Sequence, residues 1–490
     1  MASIEEIREA RLKKLQLLRE RGVDPYPSSS RQDFENQKVI LDFKTLSEAG
    51  QPVYMVGRII SWRSQGKIIF ITFNDGTGNF QALLKSGEPL PVEDFDLFQD
   101  AFDIGDFIQI RGTLFLTKRE EKTILAEEVR MLSKSLRPLP EKWHGLTDTE
   151  ERFRRRYLDL ISSEEVKKRF IIRSKIITEI RKVLNEAGYL EVETPALQPI
   201  YGGASAEPFI THHNALDTDL YLRISDELYL KRLLAGGLPK VYEIARDFRN
   251  EGIDHTHNPE FTMLEFYEAY SDAERQREFV ESLIKGVVKS VFDSEEIEWN
   301  GQKIDFSKKF EVETYFDILE KYANIDDPAQ ASFDDLKDKA KEIGLTVAPT
   351  DSYYKVMDNI YKKVCRPKLI QPTFIIDYPA DYLPLAKKKE GQEGIVEAFQ
   401  LVIGGTELVK AFSELNDPLD QRERFMAQEK IKAEGDAEAQ VLDEDFLEAM
   451  EYGIPPAGGV GIGVDRLVMV LTNTDNIKEV IFFPTLRPKQ

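Results

Sequence analysis

Between residues 53 and 132 the hydrophobic period of the chain is two, and five short runs repeat it. They read "VYMVGRIISW", "KIIFITFN", "NFQALLK", "DFIQIRGTLFLT" and "TILAEEVRML". "DGTG" supplies a hairpin turn between the second and third, and the helical stretch "VEDFDLFQDAF" precedes the fourth.

Five strands with a helix between the third and fourth follow the order of an OB-fold barrel. Such barrels bind single-stranded nucleic acid by stacking bases on exposed aromatics. Arg63, Phe70, Gln81 and Glu128 are the candidates, and Phe70 has barrel core as its competing role. Ahead of the barrel, residues 3–21 read as an amphipathic helix. Ser3 and Glu6 fit a capping box, Ile4, Ile7, Leu15 and Leu18 form an apolar stripe, and Gly22 and Pro25 stop the helix. The connector "SLRPLPEKWHG" then ends a first domain, residues 1–140, ahead of a second over 150–490.

A chain of 490 residues, 41% hydrophobic and 31% charged, has the composition of a soluble globular protein with more than one core. No stretch reaches the length of a membrane span, and the N-terminus lacks the apolar run of a signal peptide. The single cysteine, Cys365, excludes an intrachain disulfide and a multi-cysteine zinc site, so no zinc and a cytoplasmic location are expected. The net charge of −21 argues against generic nucleic-acid binding but leaves room for local basic patches. Arg152, Arg154, Arg155 and Arg156 form one such cluster, which a solvated helix face explains equally well.

The second domain opens with a long helix, from about Glu164 to Ala187, with Ser162 and Glu165 as a capping box and Gly188 at its exit. In "RDFRNEGIDHTHNPEFTMLEFYEAY" a charged loop runs into a strand. There Phe261, Met263, Glu265 and Tyr267 share one side, and Thr262, Leu264, Phe266 and Glu268 the other. A carboxylate and a phenol beside two large apolar residues suit a pocket with an apolar wall and an anionic floor. Residues 270–370 read as largely helical and without chemistry, 397–415 as strands, and 423–451 as a charged helix. No internal repeat is present.

Three constellations carry chemistry. Arg249 offers a planar fork able to bridge a carboxylate and a phosphate, and Glu251 can accept from an exocyclic amine. In "GGVGIGVDRL", glycines 458, 459, 461 and 463 suit a flat ligand lying on bare backbone, with Arg466 placed to stack on it. In "LVIGGTELVKAFSELNDP", Leu408, Lys410, Phe412 and Glu414 share a side. Glu407 has the opposite parity and joins them only through a kink or bulge. Glu265 and Glu414 are then placed either to hold a cation together, metal or ammonium, or to stand as paired surface carboxylates.

These segments resemble the class II lysyl-tRNA synthetases along nearly the whole chain. The long helix with "GYLEVETP" resembles motif 1, "FRNEG…HNPEF" motif 2 and "GIGVDRL" motif 3. "RPLPEKWHGL", "GGASAEPF", "ELYLKRLL" and "FSELNDP" resemble the lysine branch. The resemblance implies an α+β multidomain fold: an N-terminal OB-fold anticodon-binding barrel, then a class II catalytic domain whose antiparallel sheet is flanked by helices. It implies lysyl-adenylate formation from L-lysine and ATP and transfer to tRNA(Lys), by a homodimer that needs Mg²⁺ and no membrane. By position, Arg249, Glu251 and Arg466 are the catalytic residues. His257, Asn258, Phe261 and Glu407 complete the ATP site, with Glu407 the magnesium ligand. Gly203, Glu227, Arg249, Glu265, Tyr267, Phe412 and Glu414 bind lysine. Arg63, Phe70, Gln81 and Glu128 read the anticodon.

The chain departs from the family's usual pattern at Gln400 (a second metal-binding glutamate), Lys410 (a small polar residue) and Leu383 (a serine). The first two are expected to be coupled: one carboxylate fewer, one fixed cation more. Two other readings compete. An aspartyl- or asparaginyl-type synthetase would need a cationic pocket, against Glu227, Glu265 and Glu414. A non-aminoacylating paralogue that adenylates lysine for another acceptor would be expected to lack the barrel.

Overall fold

Alternation closes the first barrel. In a computed structural model, which describes residues 3–140, 146–348, 351–433 and 440–489, the chain divides into two compact units, Met1–Gly145 and Leu146–Gln490. In the first, strands β1 (Val53–Gln65), β2 (Ile68–Asn74), β3 (Asn79–Lys85), β4 (Phe107–Leu116) and β5 (Lys122–Ser133) close in the order β1-β2-β3-β5-β4. Ile69, Ile71 and Phe73 of β2 and Phe80, Ala82 and Leu84 of β3 point into the barrel core. The residues between them face outward, as the two-residue period requires. The helix Val92–Ala101 adds Phe95 and Phe98 to the same core. The N-terminal helix spans Ile4–Glu20 with the Ser3–Glu6 capping box formed. Leu15 and Leu18 are its buried apolar residues, whereas Ile4 stays exposed and Arg11 takes a buried place, donating to backbone carbonyls at Ile104, Ser135 and Arg137.

The second unit is built on a nine-stranded sheet. Its main path runs Glu311–Thr314, Thr373–Pro379, Gln392–Ile403, Thr406–Ser413, Ala457–Gly463, Glu260–Ala269, Lys240–Phe248 and Leu190–Glu191. The central pairings are antiparallel and the two short edge strands pair parallel. One face packs on the helices Glu164–Glu186 and Ala273–Phe292 through Ile176, Ile180, Leu184, Val280 and Leu283.

Several expectations shift. The cap of the long helix is Ser163, whose hydroxyl accepts from Val166 N–H; Ser162 closes the preceding helix and donates to Leu158 O. Residues 270–370 hold a β-hairpin (Glu296–Trp299 with Gln302–Asp305) and one edge strand as well as helices. The charged segment at 423–451 is two helices, Pro418–Ala433 and Glu444–Glu451, with 434–439 outside the described residues, as are 141–145 of the connector. The arginine cluster is structural: Arg156 is fully buried against Asp159, and Arg152 pairs with Asp159 and Glu479. Among the described residues no helix is long and apolar enough to cross a membrane.

Candidate active site

Strand alternation builds the wall of a cavity of about 300 Å³. Lys240–Phe248 pairs with Glu260–Ala269, which pairs in turn with Ala457–Gly463, setting Glu265 opposite Gly461 and Tyr267 opposite Gly459. Phe261, Met263, Glu265 and Tyr267 line the cavity, while Leu264 and Phe266 enter the core behind. Gly459, Gly461 and Gly463 also line it. A Cβ at Gly459 would strike the Glu414 carboxylate and the Tyr267 ring. Gly458 departs from the expected role: it faces the other way, where a Cβ would meet Gln276 Cγ at 2.6 Å at the start of a packed helix. Its smallness serves packing.

One end of the cavity is acidic and closed. Glu265 accepts from Ser225 Oγ at 2.9 Å and from Tyr267 OH at 2.9 Å. Its carboxylate lies within 4.8 Å of those of Asp226 and Asp247, all three buried. Burial, with repulsion from Glu227 and Asp247, pushes Glu265 up to about 8. Burial likewise raises Asp247 to about 6 and carries Asp226 well above the carboxylate range. Arg223 offsets part of this, 2.6 Å from Glu243 and 3.5 Å from Asp247. Gly203 closes the end: at φ +85° its missing Cβ would sit 2.9 Å from Ser225 Oγ and 3.1 Å from Glu227 Cβ.

Glu414 does not meet the open cavity as expected. It is 1% exposed, one layer behind the wall, and paired with Lys231. Lys231 also holds Glu227 at 2.6 Å and lies 5.3 Å over the Phe412 ring. A fully buried carboxylate needs a counter-ion, and this lysine supplies it. Burial opposes the lysine's charge, but Glu227 and Glu414 outweigh it and raise its pKa. Lys231 was readable, because "ELYLKRLL" spaces Glu227 and Lys231 at i, i+4. Ser225, Asp226, Asp247 and Arg223 carried no such local signal.

The other end is more open and carries two arginines among its carboxylates. Arg249 leaves the strand end with its guanidinium 5.0 Å over the Phe261 ring. Arg466, in the first turn of the helix Val464–Leu471, donates to His257 Nε2 at 3.0 Å. His257 Nε2 therefore accepts, and Nδ1–H donates to Asp254 at 2.9 Å. Burial works against the Asp254 charge, but Thr256 N–H and His257 hold it far below the usual carboxylate range. Glu251 is exposed at the cavity mouth. Asn258 lines the cavity with its amide already used, donating to Glu260 O at 2.6 Å and accepting from Thr485 N–H at 3.2 Å. Glu407 reaches the cavity through the expected bulge: the register of Thr406–Ser413 against Gln392–Ile403 slips between Val409 and Glu407. Gln400 is not a wall residue, and its Oε1 accepts from Tyr378 OH at 2.8 Å. Leu383 is buried in the wall.

On the barrel, Arg63 sits directly opposite Phe70, and Gln81 opposite Thr72. Phe70 is half-buried and outside the barrel's core cluster, which removes the core reading. Gln81 donates to Thr123 Oγ1 at 2.7 Å. Glu128 is exposed beside the β5 bulge, opposite Arg111.

Comparison with known proteins accords with this geometry. Residues 148–487 match the family described as tRNA synthetases class II (D, K and N), and residues 53–132 match the OB-fold nucleic acid binding domain. Proteins named Lysine–tRNA ligase are similar over nearly their whole length. That of Pelotomaculum thermopropionicum is 46% identical over 99% of this chain and 96% of its own. That of Moorella thermoacetica is 47% identical over 98% and 97%, and that of Syntrophomonas wolfei 46% over 99% and 98%. The chain belongs to the class II tRNA synthetases, within their lysine–tRNA ligase family.

Proposed function

We propose that the chain joins L-lysine to tRNA(Lys) in two ATP-dependent steps. First, a lysine carboxylate oxygen attacks the α-phosphorus of ATP, and pyrophosphate leaves with the electrons of the broken P–O bond. Then a terminal tRNA hydroxyl attacks the carbonyl carbon of lysyl-adenylate, and AMP leaves. The observation that carries this reading is one cavity with a closed, acidic end and an open end where Arg249 and Arg466 stand beside Glu407. Lysine has the complementary polarity, two ammonium groups and one carboxylate. An aspartate-type substrate would meet repulsion from Glu227 and Glu265.

In this reading Glu265 and Tyr267 receive the ε-ammonium, Phe412 packs the aliphatic stem, and Gly203 O with Glu227 receives the α-amino group. Glu414 acts through Lys231 in fixing Glu227. Arg249 bridges the lysine carboxylate and the α-phosphate, Phe261 and Arg466 enclose the adenine, Glu251 reads its exocyclic amine, and His257 orients Arg466. Asn258 holds the loop against the C-terminal segment. No covalent enzyme intermediate is needed, so catalysis is positioning and charge stabilisation.

Glu407 suits Mg²⁺, since it is a cavity-lining carboxylate without an ion pair among the described residues, and Mg²⁺ commonly uses one or two carboxylates with substrate phosphates. When bound, the ion supplies Lewis-acid charge to the phosphates. Arg63, Phe70, Gln81 and Glu128 form the anticodon surface. A homodimer is supported by the apolar residues Ile171, Leu190, Leu197 and Ile210, which are 47–64% exposed around the segment resembling motif 1. We place its action in the cytoplasm, where tRNA is charged. ATP–pyrophosphate exchange across the twenty amino acids, followed by tRNA charging, tests the reading. Lysine alone should support exchange and charging; exchange with aspartate or asparagine, or exchange without charging, favours the rival readings.

A further inference from the structure

Two lysines, one behind the cavity wall and one in the cavity, are in opposite circumstances. Lys231 is locked between two carboxylates. Lys410 reaches the cavity from the middle of Thr406–Ser413 and is exposed within it. Among the described residues no hydrogen bond or ion pair reaches its ammonium. Glu407 and Glu227 attract it from beyond ion-pair distance, and Arg249 is near enough to oppose its charge.

Its cross-strand neighbours explain why it stays free. On one side stands Gly461, which offers no side chain. On the other stands Gln400, neutral and turned to Tyr378 OH. Opposite charges paired across strands attract, so a carboxylate at 400 would draw Lys410 out of the cavity. An ammonium that faces a cavity with no carboxylate at ion-pair distance keeps its three donors free for an anion that arrives there.

We propose that Lys410 is a further catalytic residue: its ammonium binds the anionic reaction centre where the amino-acid carboxylate meets the α-phosphate, and the neutral Gln400 keeps it available. As charge shifts from carboxylate to phosphate oxygens during adenylate formation, Lys410 donates to those oxygens beside Arg249. The inference rests on the adenylating reading above.

The test uses the full-length protein and the variants Lys410→Gln, Lys410→Arg, Gln400→Glu and the double Lys410→Gln/Gln400→Glu. In lysine-dependent ATP–pyrophosphate exchange, Lys410→Gln should lower kcat roughly 100-fold, the scale of losing one charge-stabilising donor. Lys410→Arg should recover part of this. Gln400→Glu should lower kcat about 10-fold by capturing the ammonium, and the double variant should be no worse than Lys410→Gln, a non-additivity that a structural role would not give. Equilibrium binding separates the anions. If phosphate is the partner, Lys410→Gln weakens ATP and spares lysine. If the carboxylate is, it weakens lysine and spares lysinol, which lacks that group. A kcat within twofold of the parent in Lys410→Gln, or additive losses in the double variant, would overturn the proposal. A parent without lysine-dependent exchange would instead overturn the adenylating reading.

Discussion

The two ends of the cavity are built by opposite rules. At the acidic end every charged group is buried and most are answered from within the protein: Glu265 by Ser225 and Tyr267, Glu414 and Glu227 by Lys231, Glu243 and Asp247 by Arg223, whereas the Asp226 carboxylate has no hydrogen-bond partner among the described residues. Acids still outnumber cations there, and protons make up part of the balance. At the open end the groups sit on a loop and a helix start, solvent reaches them, and few of their charges are paired. The difference teaches where each task lies. Discrimination belongs where a wrong ligand leaves buried charge unanswered, and chemistry belongs where charge must move.

The largest way to break that contrast is Glu265→Gln. An amide cannot answer an ammonium, so lysine-dependent exchange should fall by roughly 10³–10⁴-fold, the scale of a lost polar-site discrimination. ATP binding, measured alone, should stay within about threefold of the parent. Lys231→Met comes next, through stability. It strands Glu227 and Glu414 without a cation and should cost about 3–5 kcal/mol in denaturant unfolding. Replacing Glu414 with leucine in the same chain should recover part of the loss.

A change of pH sharpens the comparison without mutation. Glu265 sits at about 8 in the fold against an ordinary value of 4.5. Between those values the folded state holds a proton that the unfolded state has released. The Glu265 contribution therefore lowers stability as pH rises from 4.5 to about 8, and Asp247 acts in the same sense between 3.8 and about 6. An arriving ammonium answers the newly ionised carboxylate. The rise in Tm on saturating with lysine should grow from pH 6 to pH 8, and the rise given by ATP should change much less. The smallest effect lies in the other unit: Phe70→Ala should weaken tRNA charging by about 1–3 kcal/mol per stacked base while leaving adenylate formation intact.

Much of this was legible where the information is local. Alternation placed Phe261, Met263, Glu265 and Tyr267 on one wall, and parity alone demanded the bulge that brings Glu407 round. What the sequence hid is long-range. Asp226 and Asp247 join Glu265 only because separate segments converge, and no spacing announces that. Glu414 was legible as a site carboxylate, but its partner Lys231 lies far back in the chain, so its withdrawal behind the wall was not. Gly458 misled because glycine serves a ligand and a crossing helix equally well; only the position of Gln276 tells them apart. Ser162 and Ser163 are adjacent capping residues, and the choice between them depends on where the preceding helix ends.

The most direct measurement of the central claim is kcat/KM in ATP–pyrophosphate exchange for lysine against norleucine, which keeps the aliphatic chain but lacks the terminal ammonium. A buried acidic end that must be answered by substrate predicts a preference for lysine of roughly 10⁴-fold, collapsing toward unity in Glu265→Gln. A parent ratio under tenfold would mean that Glu265 and its neighbours do not select the substrate, and the account of the acidic end would be wrong.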